Sequence, residues 1–207
     1  MFNISTVMKQ TYLTQTLIIS SLLLFYCSVQ IDQIFFDQPA ILNGDLFRLV
    51  SGHFVHVDTE HLIWNTLGLL ILGSLIEMRS RKLLVISLVM GIFSVTLFLF
   101  SPWSNITIYC GLSGVLNTLL VIALWMIWTE TKSTWIIVTF AVCLLKVLIE
   151  MATSQSVIST ISWPPSPEAH CAGLIGGIII VGIIAGYRSI NPIVSTQLPN
   201  EDDGISL

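Results

Sequence analysis

Charged residues are scarce in this sequence. Only 10% of its 207 residues are Asp, Glu, Lys or Arg, whereas 54% are hydrophobic, and the mean hydropathy is +0.88. A soluble domain carries roughly 25% charged residues. The deficit excludes a separate water-soluble domain and makes lipid the solvent for most of the chain. The net charge of -4 arises partly from Glu201, Asp202 and Asp203, so it indicates no nucleic-acid partner.

Motifs for metals and cofactors are also missing. The cysteines form no CxxC pair and no zinc spacing, and we interpret them as buried thiols. They are Cys27, Cys110, Cys143 and Cys171. The metalloprotease motif H-E-x-x-H does not occur. We therefore predict neither a cofactor nor a metal, although His53, His56 and His61 leave zinc ligation open as an alternative.

Long hydrophobic runs dominate the remaining sequence. About 20 apolar residues cross a bilayer core, and this length selects six segments, at 14–31, 60–78, 83–101, 111–129, 134–151 and 168–187. The first run lacks a small-residue cleavage site, which predicts a retained signal anchor. We predict an all-α polytopic membrane protein with a short N-terminus at 1–13, a six-helix core at 14–187 and a disordered tail at 188–207.

Basic residues predict the orientation of these spans. All but Arg48 and Lys146 lie at the N-terminus, in the links after the second and fourth spans, or just after the sixth: Lys9, Arg79, Arg81, Lys82, Lys132 and Arg188. Six spans place these positions on one side, which is the cytoplasmic side by the positive-inside rule. Both termini are therefore expected in the cytoplasm, and the loop at 32–59 is expected to face outward.

Polar residues recur near the outward ends of the even-numbered spans. They are His61 and Asn65, Ser113 and Asn117, and His170. Polar groups inside a membrane are costly and need internal partners. Since the even spans all begin outside, these residues share a depth, which predicts a polar pocket assembled from three helices.

Ser113 lies in the segment Gly111-Leu112-Ser113-Gly114. At a helix start, unpaired backbone N–H groups and the positive end of the dipole favour developing negative charge. The flanking glycines allow another backbone to approach closely. Packing of small residues between helices is the alternative interpretation of this segment.

His170 shares one helix face with Gly173 and Gly177. The two glycines bring this helix toward Ser113, where a neutral imidazole takes the hydroxyl proton and later protonates a leaving amine. A buried structural histidine is the alternative. No carboxylate has an obvious route to His170, because Glu168 points off this face. Lys146 and Glu150 are four residues apart, and we interpret them as a local pair. A dyad is therefore predicted.

His61 and Asn65 project from one face of the second span. Both donate hydrogen bonds, and in a site shielded from water one such donor to an oxyanion contributes roughly 3 kcal/mol. We predict that they stabilise an oxyanion formed at Ser113.

These patterns together resemble a known family. Gly111-Leu112-Ser113-Gly114 with Ala169-His170-x-x-Gly173-x-x-x-Gly177 resembles the signature of rhomboid proteases. Three further segments are similar to that family's patterns: His56-x-x-x-x-His61-x-x-x-Asn65, Phe47-Arg48 (usually Trp-Arg) and Glu77-Met78-Arg79.

The resemblance implies a six-transmembrane-helix rhomboid-like bundle with Ser113 and His170 as the catalytic dyad of an intramembrane serine protease. It assigns the oxyanion role to the Ser113 N–H, His61 and Asn65. Site-supporting positions are then His56, Gly111, Gly114, Asn117, Gly173 and Gly177, and scaffold positions are Arg48, Glu77 and Arg79.

Rhomboids often place an aromatic residue four positions after the serine. Here Asn117 stands there, and we expect it to orient the imidazole by a hydrogen bond.

The small six-span size further resembles rhombosortases, a bacterial branch associated with proteins that carry a C-terminal Gly-Gly motif, a hydrophobic helix and a basic end. This implies a single-span membrane substrate, the lipid bilayer as surroundings, and a bacterial inner membrane with the active site open to the periplasm. The alternatives are an inactive rhomboid-like chaperone or scaffold and a small transporter. A disulfide between Cys110 and Cys171 is a further hypothesis.

Overall fold

The computed structural model describes residues 10–27, 31–153 and 166–190. Within these ranges the chain forms α1 (Tyr12–Cys27), α2 (Gln38–Leu42), α3 (Arg48–Phe54), α4 (Thr59–Glu77), α5 (Arg81–Leu99), α6 (Ser113–Thr131), α7 (Thr134–Thr153) and α8 (Pro167–Ile190). Two short strands, β1 (Phe36–Asp37) and β2 (Ile108–Tyr109), join them. Most of the predicted tail at 188–207 lies outside the described residues, as does most of the segment at 1–13.

Five of the helices, α4 to α8, are long and apolar enough to cross a membrane. Each begins and ends close to the limits predicted from hydrophobicity, which confirms the polytopic helical class. The α1 helix has 16 residues and is shorter than each of these five helices. Part of the predicted span at 14–31 lies outside the described residues, so the count of six remains a prediction.

The α6 helix lies at the centre of the bundle. It packs most extensively against α8 and also contacts α4, α5 and α7. Val115, Leu119 and Ile122 of α6 are fully buried in the main hydrophobic cluster. In contrast, only 11% of the residues in the most apolar stretch of α7 are buried inside the protein. The helix that begins with Ser113 is therefore the most firmly held, and α7 is the least.

Side-chain caps set the ends of several helices. Asp58 precedes α4, and its carboxylate accepts a hydrogen bond from the His61 N–H at 2.7 Å. Ser80 caps α5 in the same way through the Leu83 N–H. Lys132 adopts a left-handed conformation, φ 51°, after α6, which allows the tight link to α7. The Asp58 cap also fixes the first turn of α4, from which His61 projects.

The two strands pair antiparallel, with Phe36 opposite Tyr109 and Asp37 opposite Ile108. They join the loop after α1 to the loop before α6. A Cβ atom on Gly52 of α3 would overlap the backbone nitrogen of Phe36, so this glycine lets α3 lie directly against β1. The pairing was not predicted, because two-residue strands carry no measurable alternation.

Arg48 holds together the loop between α1 and α4. Its guanidinium is 3.1 Å from the Asp45 carboxylate and donates to the backbone carbonyls of Asp32 and Phe35. The side chain is almost fully buried. These contacts are consistent with the scaffold role that the family resemblance implies.

Glu77 and Arg79 lie at the opposite end of α4 and contact different helices. The Glu77 carboxylate accepts hydrogen bonds from the Leu13 N–H, the Thr14 N–H and the Thr14 hydroxyl at the start of α1. Arg79 forms a bidentate pair with Glu130 of α6, at 2.7 and 2.9 Å, and this pairing raises the pKa of Arg79. The two charges thus connect the ends of α1, α4 and α6.

Candidate active site

Ser113 and His170 are in direct contact. Ser113 is the first residue of α6, and His170 lies in the first turn of α8. The Ser113 Oγ atom and the His170 Nε2 atom are 2.9 Å apart. This is hydrogen-bond distance, and it joins residues that are 57 positions apart in the chain. The structure therefore brings the two predicted reactive side chains together.

Glycines make this approach possible. A Cβ atom at Gly173 would overlap the carbonyl oxygen of Gly114, and one at Gly177 would lie 2.7 Å from Val121 Cβ. The Thr118 hydroxyl crosses between the helices and donates to the Gly173 carbonyl at 2.7 Å. The backbones of α6 and α8 are consequently in near contact directly below the Ser113–His170 pair.

The loop before Ser113 is held from both sides. The Gly111 N–H donates to the Gly52 carbonyl at 3.0 Å, and the Tyr109 hydroxyl donates to the Gly111 carbonyl at 2.8 Å. Burial raises the pKa of Tyr109 well above its ordinary value, so the phenol stays a donor. Tyr109 was not identified from the sequence, since a single tyrosine near a helix start is not distinctive.

His61 lies directly against Gly111, two residues before Ser113. The φ of +112° at Gly111 suits glycine, and a Cβ atom there would lie 2.5 Å from the His61 ring. Asn65 follows one turn later, with its Nδ2 atom 3.7 Å from the same point. His61 and Asn65 are both buried. All three predicted helices therefore contribute residues next to Gly111 or Ser113.

An unpaired side-chain donor lies near Gly111. The Nδ2 atom of Asn65 is buried and has no hydrogen-bond partner in the part of the chain that the structure describes. Ser113 opens α6, and the first N–H groups of a helix have no acceptor within it. The arrangement is suited to stabilising negative charge on an oxygen bound next to Ser113.

His56 supports His61 from behind. The two rings pack edge to face with their centroids 5.0 Å apart. Burial, followed by the nearby His61, lowers the pKa of His56 to about 3, so the ring is neutral. His53 lies elsewhere, with its Nε2 atom 3.3 Å from the Thr96 hydroxyl. No group of three or more metal-ligating side chains is present in residues 10–27, 31–153 and 166–190.

Asn117 does not make the contact predicted for it. Its Nδ2 atom donates to the carbonyl oxygen of Ser113 at 2.9 Å, within its own helix. Asparagine side chains often bond to nearby backbone in this way. The side chain thus braces the first turn of α6 and does not orient the imidazole.

A carboxylate reaches His170, contrary to the sequence-based expectation. The Oε2 atom of Glu150 on α7 is 3.5 Å from the His170 Nδ1 atom. The same oxygen is 2.6 Å from Lys146 Nζ, so the predicted local pair is also present. The available signal was an acidic residue within an apolar helix, but no pattern in α7 shows which neighbour it faces.

The hypothesis of a disulfide between Cys110 and Cys171 is wrong. Cys110 and Cys171 are both free thiols. Cys110 packs with Phe35 and Val55, whereas Cys171 packs with the cluster that contains Val147. Burial raises the pKa of Cys110 to about 12, so it is an unreactive core residue.

The fold and the site together define the class of protein. It is a polytopic helical membrane protein in which the first turns of two closely packed helices hold a serine and a histidine. Residues 43–187, well over half of the chain, match the family model of the Rhomboid domain. The chain belongs to the rhomboid family. It is also similar to the Rhomboid protease GluP of Bacillus subtilis (strain 168), with 33% identity over 91 residues. That match covers 42% of this chain and 18% of the relative.

Proposed function

We propose that this protein is an intramembrane serine endopeptidase in which Ser113 is the nucleophile and His170 the general base. The observation that carries the proposal is the 2.9 Å distance between Ser113 Oγ and His170 Nε2. Membership of the rhomboid family supports it, as does the similarity to a relative named as a rhomboid protease.

The proposed reaction follows from this geometry. His170 Nε2 accepts the Ser113 proton while Oγ attacks the carbonyl carbon of the scissile bond. The resulting oxyanion receives hydrogen bonds from the Ser113 N–H, His61 and Asn65. The C–N bond then breaks as His170 returns the proton to the leaving amine, and water hydrolyses the acyl-enzyme with His170 again as base.

The proposed substrate is a single-span membrane protein that is cut near the outer end of its helix. Ser113 and His170 both lie in first turns, so a substrate backbone has to reach the site near one membrane face. Backbone within a helix is already hydrogen-bonded, so helix-weakening small residues at the cleavage point should be favoured. The rhombosortase-like substrates, with a C-terminal Gly-Gly motif, a hydrophobic helix and a basic end, meet this description.

The experiment combines a chemical probe with a substrate. A fluorophosphonate should label the wild type but not Ser113→Ala, and His170→Ala should label slowly. Cleavage of a co-expressed Gly-Gly-tailed membrane protein should be lost in both variants. Ser20→Ala is a matched control, because the Ser20 hydroxyl donates to the Thr16 carbonyl of its own exposed helix face, away from the site.

The outcomes separate the candidate functions. Full processing by Ser113→Ala and His170→Ala would disprove the catalytic assignment. An intact wild type that never reacts with the probe would favour the inactive chaperone or scaffold. Labelling at Ser113 without cleavage of the Gly-Gly substrate would retain the protease and reject the rhombosortase-like specificity.

A further inference from the structure

The imidazole of His170 lies between a serine and a carboxylate. Its Nε2 atom is 2.9 Å from Ser113 Oγ, and its Nδ1 atom is 3.5 Å from Glu150 Oε2. Glu150 is fully buried. A buried acid is rare unless it is paired, and the pair with Lys146 leaves its contact with the second nitrogen of this imidazole without a reason.

The tautomer of His170 supplies that reason. To accept the Ser113 proton, Nε2 must carry a lone pair, which leaves the ring proton on Nδ1. A carboxylate facing Nδ1 favours this tautomer and stabilises the imidazolium that forms during attack. A distance of 3.5 Å is longer than a good hydrogen bond, but contacts in resting active sites commonly tighten when charge develops.

Lys146 supplies a countercharge for this carboxylate. Its Nζ atom is 2.6 Å from Glu150 Oε2, one turn away on α7. The Lys146 side chain is 30% exposed whereas that of Glu150 is 1% exposed, so the ammonium reaches toward the surface while the carboxylate points inward. A buried carboxylate without a cation would tend to take up a proton and lose its charge.

We propose that Glu150 is a positioning residue for His170, so that the site works as a serine–histidine–glutamate arrangement with the acid supplied by α7. The inference rests on the proposed serine protease function. Because α7 is the least embedded of the long helices, the acid reaches the histidine only while α7 is packed against α8.

The test compares Glu150→Gln and Glu150→Asp with the wild type in detergent. Glu150→Gln should slow fluorophosphonate labelling and lower kcat by about tenfold to a thousandfold with KM little changed, since an amide neither selects the tautomer nor stabilises the imidazolium. Glu150→Asp should recover part of this loss. Glu168→Gln, which neutralises a carboxylate two residues before His170, is the matched control and should behave as the wild type.

Two results would overturn the inference. One is that Glu150→Gln reacts with the fluorophosphonate as fast as the wild type does. The other is a loss of labelling in Glu150→Gln that is accompanied by a lower melting temperature and that Glu150→Asp does not recover, which would make Glu150 a structural residue only. Ser113→Ala in the same series keeps the proposals apart. If it still cleaves substrate the protease assignment fails, whereas an inactive Ser113→Ala beside a fully active Glu150→Gln removes only the role of Glu150.

Discussion

Gly173 controls the distance between the two reactive side chains. A methyl group there would overlap the Gly114 carbonyl oxygen, so Gly173→Ala must push α8 away from α6. We expect a destabilisation of about 1–3 kcal/mol, typical of overpacking, and at least a tenfold loss of fluorophosphonate labelling as Ser113 and His170 separate.

The same helix offers a control for this prediction. A Cβ atom at Gly182 would have nothing within 4 Å of it, so Gly182→Ala should leave labelling and melting temperature unchanged. If Gly173→Ala labels as fast as Gly182→Ala, the close helix approach is not what holds the dyad together.

Buried neutral histidines predict a pH dependence of stability. Burial lowers the pKa of His53 from 6.5 to about 4 and contributes most to lowering that of His56 to about 3. Between these values and 6.5 the unfolded chain binds more protons than the folded one. The contribution of these two histidines to the free energy of unfolding is therefore complete above about pH 6.5. It decreases as the pH falls, by up to about 1.4 kcal/mol per pH unit for each histidine.

Melting temperatures of the detergent-solubilised protein between about pH 7 and about pH 4.5 measure this effect. The wild type should lose stability toward acid, and His53→Gln should show a shallower slope, since it removes one of the two groups. Parallel slopes for the two proteins would mean that His53 does not contribute.

At the residue scale, sequence reasoning located the serine, the histidine and their glycines, because each lies in a short local pattern. It missed Glu150, which reaches His170 from another helix. The contact predicted for Asn117 was also wrong, because its amide donates to the backbone carbonyl of Ser113 and not to His170. The contact of Glu150 depends on how α7 is rotated about its axis. The sequence of α7 is almost uniformly apolar, so it does not indicate which face of the helix meets His170.

At the scale of single helices, hydrophobic runs gave five of the spans to within a few residues. The α6 helix begins at Ser113 and not at 111, because Gly111 takes a positive φ that is not helical. The absence of a side chain on Gly111 leaves room for the His61 ring. The β1–β2 pairing was missed, although it joins the loop after α1 to the loop before α6.

Glu77 predicts how α1 is attached to the bundle. Its carboxylate accepts two backbone N–H groups and one hydroxyl at the start of α1. Glu77→Gln weakens these charge-assisted bonds and should cost about 1–3 kcal/mol. A lower melting temperature and faster proteolysis at the start of α1 would show it. Glu60→Gln, at an exposed position on the same helix, should have no effect.

For the whole molecule, charge distribution determines which membrane face the site occupies. Arg79, Arg81 and Lys132 lie in or beside the links at the ends of α4 and α6, opposite to Ser113. Basic residues are retained on the cytoplasmic side, so we expect the Ser113 end to face outward, toward the periplasm of a bacterial inner membrane.

Single cysteines test this orientation. In a background without the four native cysteines, Asn105→Cys lies in the exposed loop before α6, and Ser133→Cys lies in the link after it. A membrane-impermeant maleimide should label Asn105→Cys in intact spheroplasts and Ser133→Cys only after lysis. The reverse pattern would place the catalytic end in the cytoplasm and reject a periplasmic substrate. The chemistry of Ser113 and His170 would be unaffected, because it depends on the α6–α8 contact and not on the direction in which the bundle is inserted.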